Sequence, residues 1–161
     1  MKRSLFALCA ISLCLSTAGV AYGASKKMAP KSSTPTAKQA VAMWAGTWNC
    51  VSGKSHFSTF FTPVLDGGAM QVSSTGANPN SGIATFDSRQ NKWFYSAITA
   101  TGGYFTMMGT VGKSTISFSQ VAGNGTGLTL VVHRFAAKKY TETFGGAFFG
   151  KKMTSSSTCT K

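Results

Sequence analysis

The stretch MWAGTWNC, residues 43–50, stands where the character of the chain changes. Residues 38–44, which run into this stretch, are Ala-rich with a short helical period, and Gly46 follows where a helix would end. After it, no helical period persists, and short runs of Thr, Val, Phe, Tyr and Trp alternate with Gly, Asn and Asp. The stretch therefore predicts a short helix that leads into a first strand containing Trp48 and Cys50.

Strand-like runs recur at regular spacing from this point to the end of the chain. Gly-, Asn- and Asp-containing turns separate them, which suits antiparallel hairpins. An open sheet of this size would expose edge strands, and closure into a barrel removes them. We predict an all-β fold, a single antiparallel up-and-down barrel of about 8–10 strands with a short N-terminal helix. The predicted strands are residues 47–53, 56–65, 69–75, 83–86, 92–99, 104–111, 115–120, 128–136, 140–144 and 152–160.

The N-terminus has the pattern of a secretory signal peptide. Lys2 and Arg3 precede an apolar run over residues 5–15, and a small-residue cleavage site ends at Gly23. We predict that residues 1–23 are the signal peptide, with an uncleaved anchor helix as the alternative. The processed protein would then be exported, to the periplasm or outside the cell, with no remaining apolar run of membrane-spanning length.

The processed chain would be strongly basic. Residues 24–39 are Lys, Ser, Thr, Pro and Ala without periodicity and predict a disordered linker ahead of a barrel domain at residues 40–161. Loss of Lys2 and Arg3 reduces the net charge of +13 to +11. Such a charge suits an anionic lipid, a lipopolysaccharide or another polyanion, although solubility explains it equally well. No specific nucleic-acid motif is legible.

Two cysteines remain after the predicted cleavage, one in the first predicted strand and one in the last. A disulfide between Cys50 and Cys159 would tie the chain ends together, as expected where first and last strands meet. It would close a loop of about 100 residues and contribute roughly 4–5 kcal/mol in chain-entropy models. The alternative is two unpaired thiols.

Three short motifs carry a resemblance to known proteins. Gly-Thr-Trp at residues 46–48, after a short helix, resembles the N-terminal signature of the calycins, which include lipocalins, fatty-acid-binding proteins and avidins. Leu-Asp-Gly-Gly at residues 65–68, Gly-x-x-x-Phe-Asp at residues 82–87 and the later Trp93 are similar to a bacterial group of secreted lipocalin-like proteins catalogued as a domain of unknown function. The resemblance covers residues 44–159.

The resemblance implies structural roles for three residues. Trp48 would plug the closed end of the barrel, and Gly46 would provide the tight connection from helix to strand. A basic residue near the last strands lies across this tryptophan in calycins, and Arg134 is the candidate here. A guanidinium over an indole contributes roughly 0.5–2 kcal/mol. These roles mark a fold and do not name a function.

Residues suited to catalysis are scarce. The chain has 3 acidic residues, and Asp66 and Asp87 both lie in turn sequences. Glu142 lies within a strand, where a surface position beside a lysine is favoured over an interior position as a polar ligand group. No spacing pairs two carboxylates and no nucleophile elbow is present, so we expect no catalytic residues and no enzyme.

Metal and cofactor sites are not predicted either. Haem ligation through His133 is an alternative, because one imidazole can bind haem iron. Strand alternation, however, places His133 on the face opposite Arg134, and therefore toward solvent if Arg134 points inward. His56 is expected in solvent, and the cysteines are expected to pair, which leaves no zinc ligand set.

The barrel interior is predicted from strand alternation. Lys92 should face out, so Trp93 and Tyr95 should face in, and Phe105 and Met107 are the inward choice on the next strand. These four side chains are the predicted ligand-binding residues if the interior holds a cavity; the alternative is a solid core. The predicted function is a non-enzymatic carrier or sensor of a small hydrophobic or amphipathic ligand. The alternative function is a basic module that binds an anionic lipid, lipopolysaccharide or other polyanion.

Overall fold

The structure is a computed structural model that describes residues 34–161. The predicted signal peptide and residues 24–33 of the predicted linker lie outside the described residues. Helix α1 spans Ala37–Trp44, so it begins inside the segment predicted to be linker. Its start is set by a capping box, in which the amide of Gln39 donates to Thr36 Oγ1 at 3.3 Å and the amide of Thr36 donates to Gln39 Oε1 at 2.9 Å.

Ten strands follow the helix and close into one barrel in which every neighbouring pair is antiparallel, so the predicted all-β up-and-down barrel is confirmed. Consecutive strands are neighbours, and β1 closes the barrel against β10. A short 3₁₀ turn at Leu65–Gly67 follows β2. The strands are β1 (Gly46–Ser52), β2 (Ser55–Val64), β3 (Ala69–Ser74), β4 (Asn80–Asp87), β5 (Lys92–Thr99), β6 (Tyr104–Val111), β7 (Thr115–Gly123), β8 (Gly125–Ala136), β9 (Lys139–Phe148) and β10 (Lys151–Thr160).

Several strands run further than their sequence predicts, because the barrel tolerates glycine inside them. β9 continues through Gly145 and Gly146 to Phe148, and Gly146 has a φ of 137° beside an irregularity in the β8–β9 register. A residue with a Cβ would meet the Leu128 side chain there at 2.6 Å. Glycine therefore marks a bend in the barrel wall rather than the end of a strand.

The first and last strands meet at the seam between β1 and β10. Asn49, Cys50 and Val51 pair with β10, and Cys50 lies opposite Cys159 in the register. The sulfur atoms of these cysteines are bonded, so the predicted disulfide is confirmed. Beyond this seam, Ser52 Oγ donates to the carbonyl of Ser156 at 2.8 Å.

The two ends of the barrel differ. Helix α1 covers one end, here called the helix end, and buries Ala40, Val41 and Trp44 against the barrel. The other end, here called the mouth, carries the turns that join β1 to β2, β3 to β4 and β9 to β10. In the described part of the chain, no helix has the length and apolar character needed to span a membrane.

Candidate functional site

An aromatic cluster forms the floor of the barrel at the helix end. Trp48 has 0% of its surface exposed, and its indole Nε1 donates to the Trp44 carbonyl at 2.8 Å. The ring of Tyr140 lies edge-on to both, with centroid distances of 4.9 Å to Trp48 and 5.4 Å to Trp44. These contacts close the helix end with aromatic side chains.

The cation that lies over Trp48 is Lys161. Its Nζ is 5.5 Å from the centroid of the Trp48 ring, whereas Cζ of Arg134 lies 5.4 Å from the centroid of the Trp44 ring. The prediction that Arg134 lies across Trp48 is therefore wrong. Arg134 instead reaches the last turn of α1, where its Nη2 is 3.4 Å from the Met43 carbonyl oxygen.

Both cations also neutralise the C-terminal end of the helix. Lys161 Nζ donates to the carbonyl of Ala45, two residues after the Met43 carbonyl that Arg134 approaches. Positive side chains at this end stabilise a helix, because its last carbonyls lack partners within the helix. Gly46 follows directly with a φ of 118°, a conformation that favours glycine and turns the chain into β1.

Above this floor the barrel encloses a cavity of about 650 Å³ that opens at the mouth. Ten strands make a wider barrel than the eight whose interior side chains can fill. The cavity wall is mainly apolar and aromatic, and includes Phe61, Met70, Val72, Phe118, Phe144 and Phe148. The barrel interior is therefore hollow rather than a solid core.

The four predicted ligand-binding residues all line this cavity. Trp93 is buried on β5 and Phe105 and Met107 are buried on β6, with Met107 at 0% exposure. Tyr95 is partly buried and packs edge-on to Phe105 at a centroid distance of 5.6 Å. The alternation predicted for β5 and β6 places these side chains inside the barrel, and ligand binding by them stays a prediction.

Glu142 also lines the cavity, so the expectation of a surface position for this residue is wrong. Its carboxylate Oε1 accepts a hydrogen bond of 2.8 Å from Ser157 Oγ on the neighbouring strand β10. Burial raises the pKa of Glu142 above its ordinary value, and the Ser157 hydrogen bond opposes that rise. Tyr140 and Phe144, two residues away on either side along β9, face the same interior.

Two tyrosines share the cavity with this carboxyl group. Tyr95 lies on β5, and its hydroxyl donates to Asn80 Oδ1 at 3.1 Å. The pKa values of Tyr95 and Tyr140 are raised, first by burial and then by the negative charge of Glu142. Both hydroxyl groups therefore remain protonated and can donate or accept hydrogen bonds within a mainly apolar cavity.

The mouth is more polar than the deeper cavity, and the seam between β1 and β10 stops short of it. The β9–β10 hairpin extends past β1, because β9 accompanies β10 from Lys151 onward while β1 pairs only with its far end. The residues that line the cavity here are 152–155 of β10, His56 of β2, and 74–78 at the end of β3 and in the turn after it. Access to the interior is therefore bounded by serine, threonine, asparagine and basic side chains.

His133, the candidate haem ligand, does not line the cavity. His133 is exposed on β8, whereas Leu130 and Val132 of the same strand line the cavity. Within residues 34–161, no three His, Cys, Asp or Glu side chains are grouped so as to hold a metal ion. The polar groups that line the cavity are thus one carboxyl group, tyrosine, serine, threonine and asparagine side chains, and His56 and Lys152 at the mouth.

We compared the sequence with protein-family models and with curated proteins, and it matches none of them.

Proposed function

We propose that the protein is a lipocalin-like carrier or sensor that binds a small amphipathic molecule inside the barrel. The observation that carries this proposal is the cavity of about 650 Å³ with an apolar wall and a few polar groups. Small-molecule sites typically have volumes of about 300–1,000 Å³ and this mixture of lining. Methionine and phenylalanine in the wall, such as Met70 and Phe144, adapt to ligands of varied shape.

Export and calycin ancestry belong to the same proposal. The disulfide supports an oxidising compartment, because disulfides persist outside the reducing cytosol. The closed antiparallel barrel with an N-terminal helix and a buried Trp48 supports a calycin relationship. The predicted signal peptide over residues 1–23 would supply the export route.

The proposal is tested with N-phenyl-naphthylamine, a neutral probe whose fluorescence rises in apolar surroundings. We expect saturable binding and a change in tryptophan emission, because Trp93 and Trp44 both line the cavity. Met107→Trp should weaken probe binding about tenfold or more, since the larger ring occupies the ligand volume. Fluorescence titration measures both effects.

Met108→Trp is the matched control, because Met108 is the next residue on β6 and points to the opposite face of the barrel wall. This variant should bind the probe as the unmodified protein does. Equal loss in both variants, or no saturable binding by the parent, would contradict ligand binding in the cavity.

A second function is contact between the mouth and an anionic lipid surface. Phe149, in the turn between β9 and β10, has 64% of its surface exposed, and the exposed Lys151 and Lys152 follow it. Lys54, in the turn between β1 and β2, is exposed at the same end of the barrel. An apolar tip flanked by lysines suits a negatively charged membrane surface, where each lysine contributes about 1 kcal/mol.

Vesicle co-sedimentation tests this second function. Binding should require phosphatidylglycerol in a phosphatidylcholine vesicle and should weaken as salt rises. Phe149→Ser should reduce the bound fraction about tenfold, because it removes the apolar side chain that would enter the lipid. Leu65→Ser is the control, since Leu65 is 81% exposed in a turn at the helix end. Equal effects of both variants would show that the mouth has no special part in lipid binding.

A further inference from the structure

The position of Glu142 is unusual for this chain. The sequence has 3 acidic residues against 16 lysines and arginines. Asp66 is exposed in the turn after β2, and Asp87 accepts hydrogen bonds from the amides of Arg89 and Gln90 in the turn after β4. The remaining acid, Glu142, points into the apolar cavity, where a carboxylate is costly to bury.

Nothing in the described chain compensates the charge of Glu142 with a cation. Its hydrogen-bond partner is the neutral hydroxyl of Ser157, and no lysine or arginine within residues 34–161 forms an ion pair with it. Lys152 and His56 also line the cavity, but they lie at the mouth, while Glu142 lies two residues from Tyr140 of the aromatic floor. The cavity therefore presents a carboxyl group near its base with no ion-pair partner among the described residues.

We propose that the cavity selects amphipathic amines, small molecules whose protonated amino group pairs with the Glu142 carboxylate while the apolar body contacts the aromatic wall. This inference rests on the proposed ligand-binding function. The observation that supports it is that one carboxyl group without an ion-pair partner lines an apolar cavity wide enough for a ligand.

The neighbours of Glu142 suit an ammonium group. An ammonium has three N–H donors, and Glu142 offers the free lone pairs of its carboxylate. Tyr95 and Tyr140 also line the cavity, and a tyrosine hydroxyl oxygen can accept a hydrogen bond. A carboxylate ligand, such as a fatty acid, would instead meet like charge at the base of the cavity and is disfavoured there.

The pairing predicts a specific dependence on pH. The ionised form of Glu142 is needed to bind the ammonium, so amine affinity should fall as pH decreases through the raised pKa of this carboxyl group. The affinity of a neutral alcohol of the same length should stay level over that range. Tyr95 and Tyr140, whose pKa values are raised, face the same space and remain neutral. His56 and Lys152 are the other titratable groups that line the cavity, and both lie at the mouth.

The test is displacement of N-phenyl-naphthylamine by octylamine, octanol and octanoate, which share an apolar chain and differ in the head group. Octylamine should displace the probe at about tenfold lower concentration than octanol, because a hydrogen bond to a charged group is stronger than a neutral one. Octanoate should be the weakest of the three. Glu142→Gln should remove the preference for octylamine and its pH dependence while octanol affinity is retained.

Two variants act as controls. Asp66→Asn removes the same unit of charge outside the cavity and should keep the preference for octylamine. His56→Gln should keep the pH dependence, which would show that this dependence comes from Glu142 and not from a group at the mouth. Equal displacement by amine and alcohol in the unmodified protein, or an amine preference that persists in Glu142→Gln, overturns the inference and leaves the cavity function standing. Failure of the probe and of all three ligands to bind would remove the proposed function, and this inference with it.

Discussion

Replacement of both Cys50 and Cys159 by serine is expected to lower the free energy of unfolding by about 4–5 kcal/mol. The disulfide joins residues separated by 109 positions and so restricts almost the whole described chain in the unfolded state. It also joins the two strands that close the barrel, at directly opposite positions in their register. For a domain with an ordinary stability of about 5–15 kcal/mol, this loss would leave a marginal fold.

Urea denaturation of the double variant, compared with the oxidised parent, measures this effect. A parent kept in excess reductant should come close to the double variant, because both lack the same covalent link. Peptide mapping without reduction should recover the segments around Cys50 and Cys159 as one linked species. An unchanged denaturation midpoint in the double variant would show that the seam is held by its hydrogen bonds alone.

The second large effect is expected from Trp48→Ala, which should cost about 3–5 kcal/mol of stability. Trp48 is fully buried and contacts Trp44 and Tyr140, so its removal leaves a void in the aromatic floor. It also removes the donor that satisfies the Trp44 carbonyl and the ring beneath the Lys161 ammonium. Both losses add to the cost of the missing volume.

Trp48→Phe separates packing from hydrogen bonding. The phenyl ring keeps much of the aromatic contact but cannot donate to the Trp44 carbonyl, so an intermediate loss of about 1–3 kcal/mol is expected. Thermal and urea unfolding of the two variants would give the comparison. A loss below about 1 kcal/mol in Trp48→Ala would mean that the floor collapses around the missing ring with little cost.

The topology could be predicted because local signals agree along the chain. β5 and β6 have the predicted bounds, since their alternation is clear and turn residues flank both. The pairing of Cys50 with Cys159 followed from their places in the first and last strands. By contrast, the predicted β4 and β9 are too short. Pairing with the neighbouring strands extends both through glycines, which in the sequence are typical of turns.

The sequence prediction places Glu142 on the surface because its side chain is charged, although the alternation of β9 places it inside the barrel. Tyr140 and Phe144 flank it at a spacing of two residues, and both are aromatic. That period alone places Glu142 on the inner face, as it does for Trp93 and Tyr95. The signal was therefore present, but a carboxyl group inside an apolar barrel runs against the usual preference of charged residues for water.

The identity of the cation over Trp48 could not be read from the sequence. Arg134 and Lys161 both lie near the ends of strands at the helix end, and each contacts one indole ring there. Which ring each cation meets depends on the path of the last residues beside β1. Strand spacing does not encode that path, because Lys161 follows the last strand and obeys no alternation.

β1 pairs with only part of β10, and this determines where the barrel wall can open locally. At the helix end, the disulfide and the pairing of residues 49–51 hold β1 against β10. Toward the mouth, β10 continues through residues 151–155 with β9 as its companion on one side. Local opening in proteins starts where few hydrogen bonds must break, so this segment can move outward while the floor stays fixed. The rate at which a bulky molecule enters or leaves would then depend on the edge of β10, and its affinity on the side chains deeper inside.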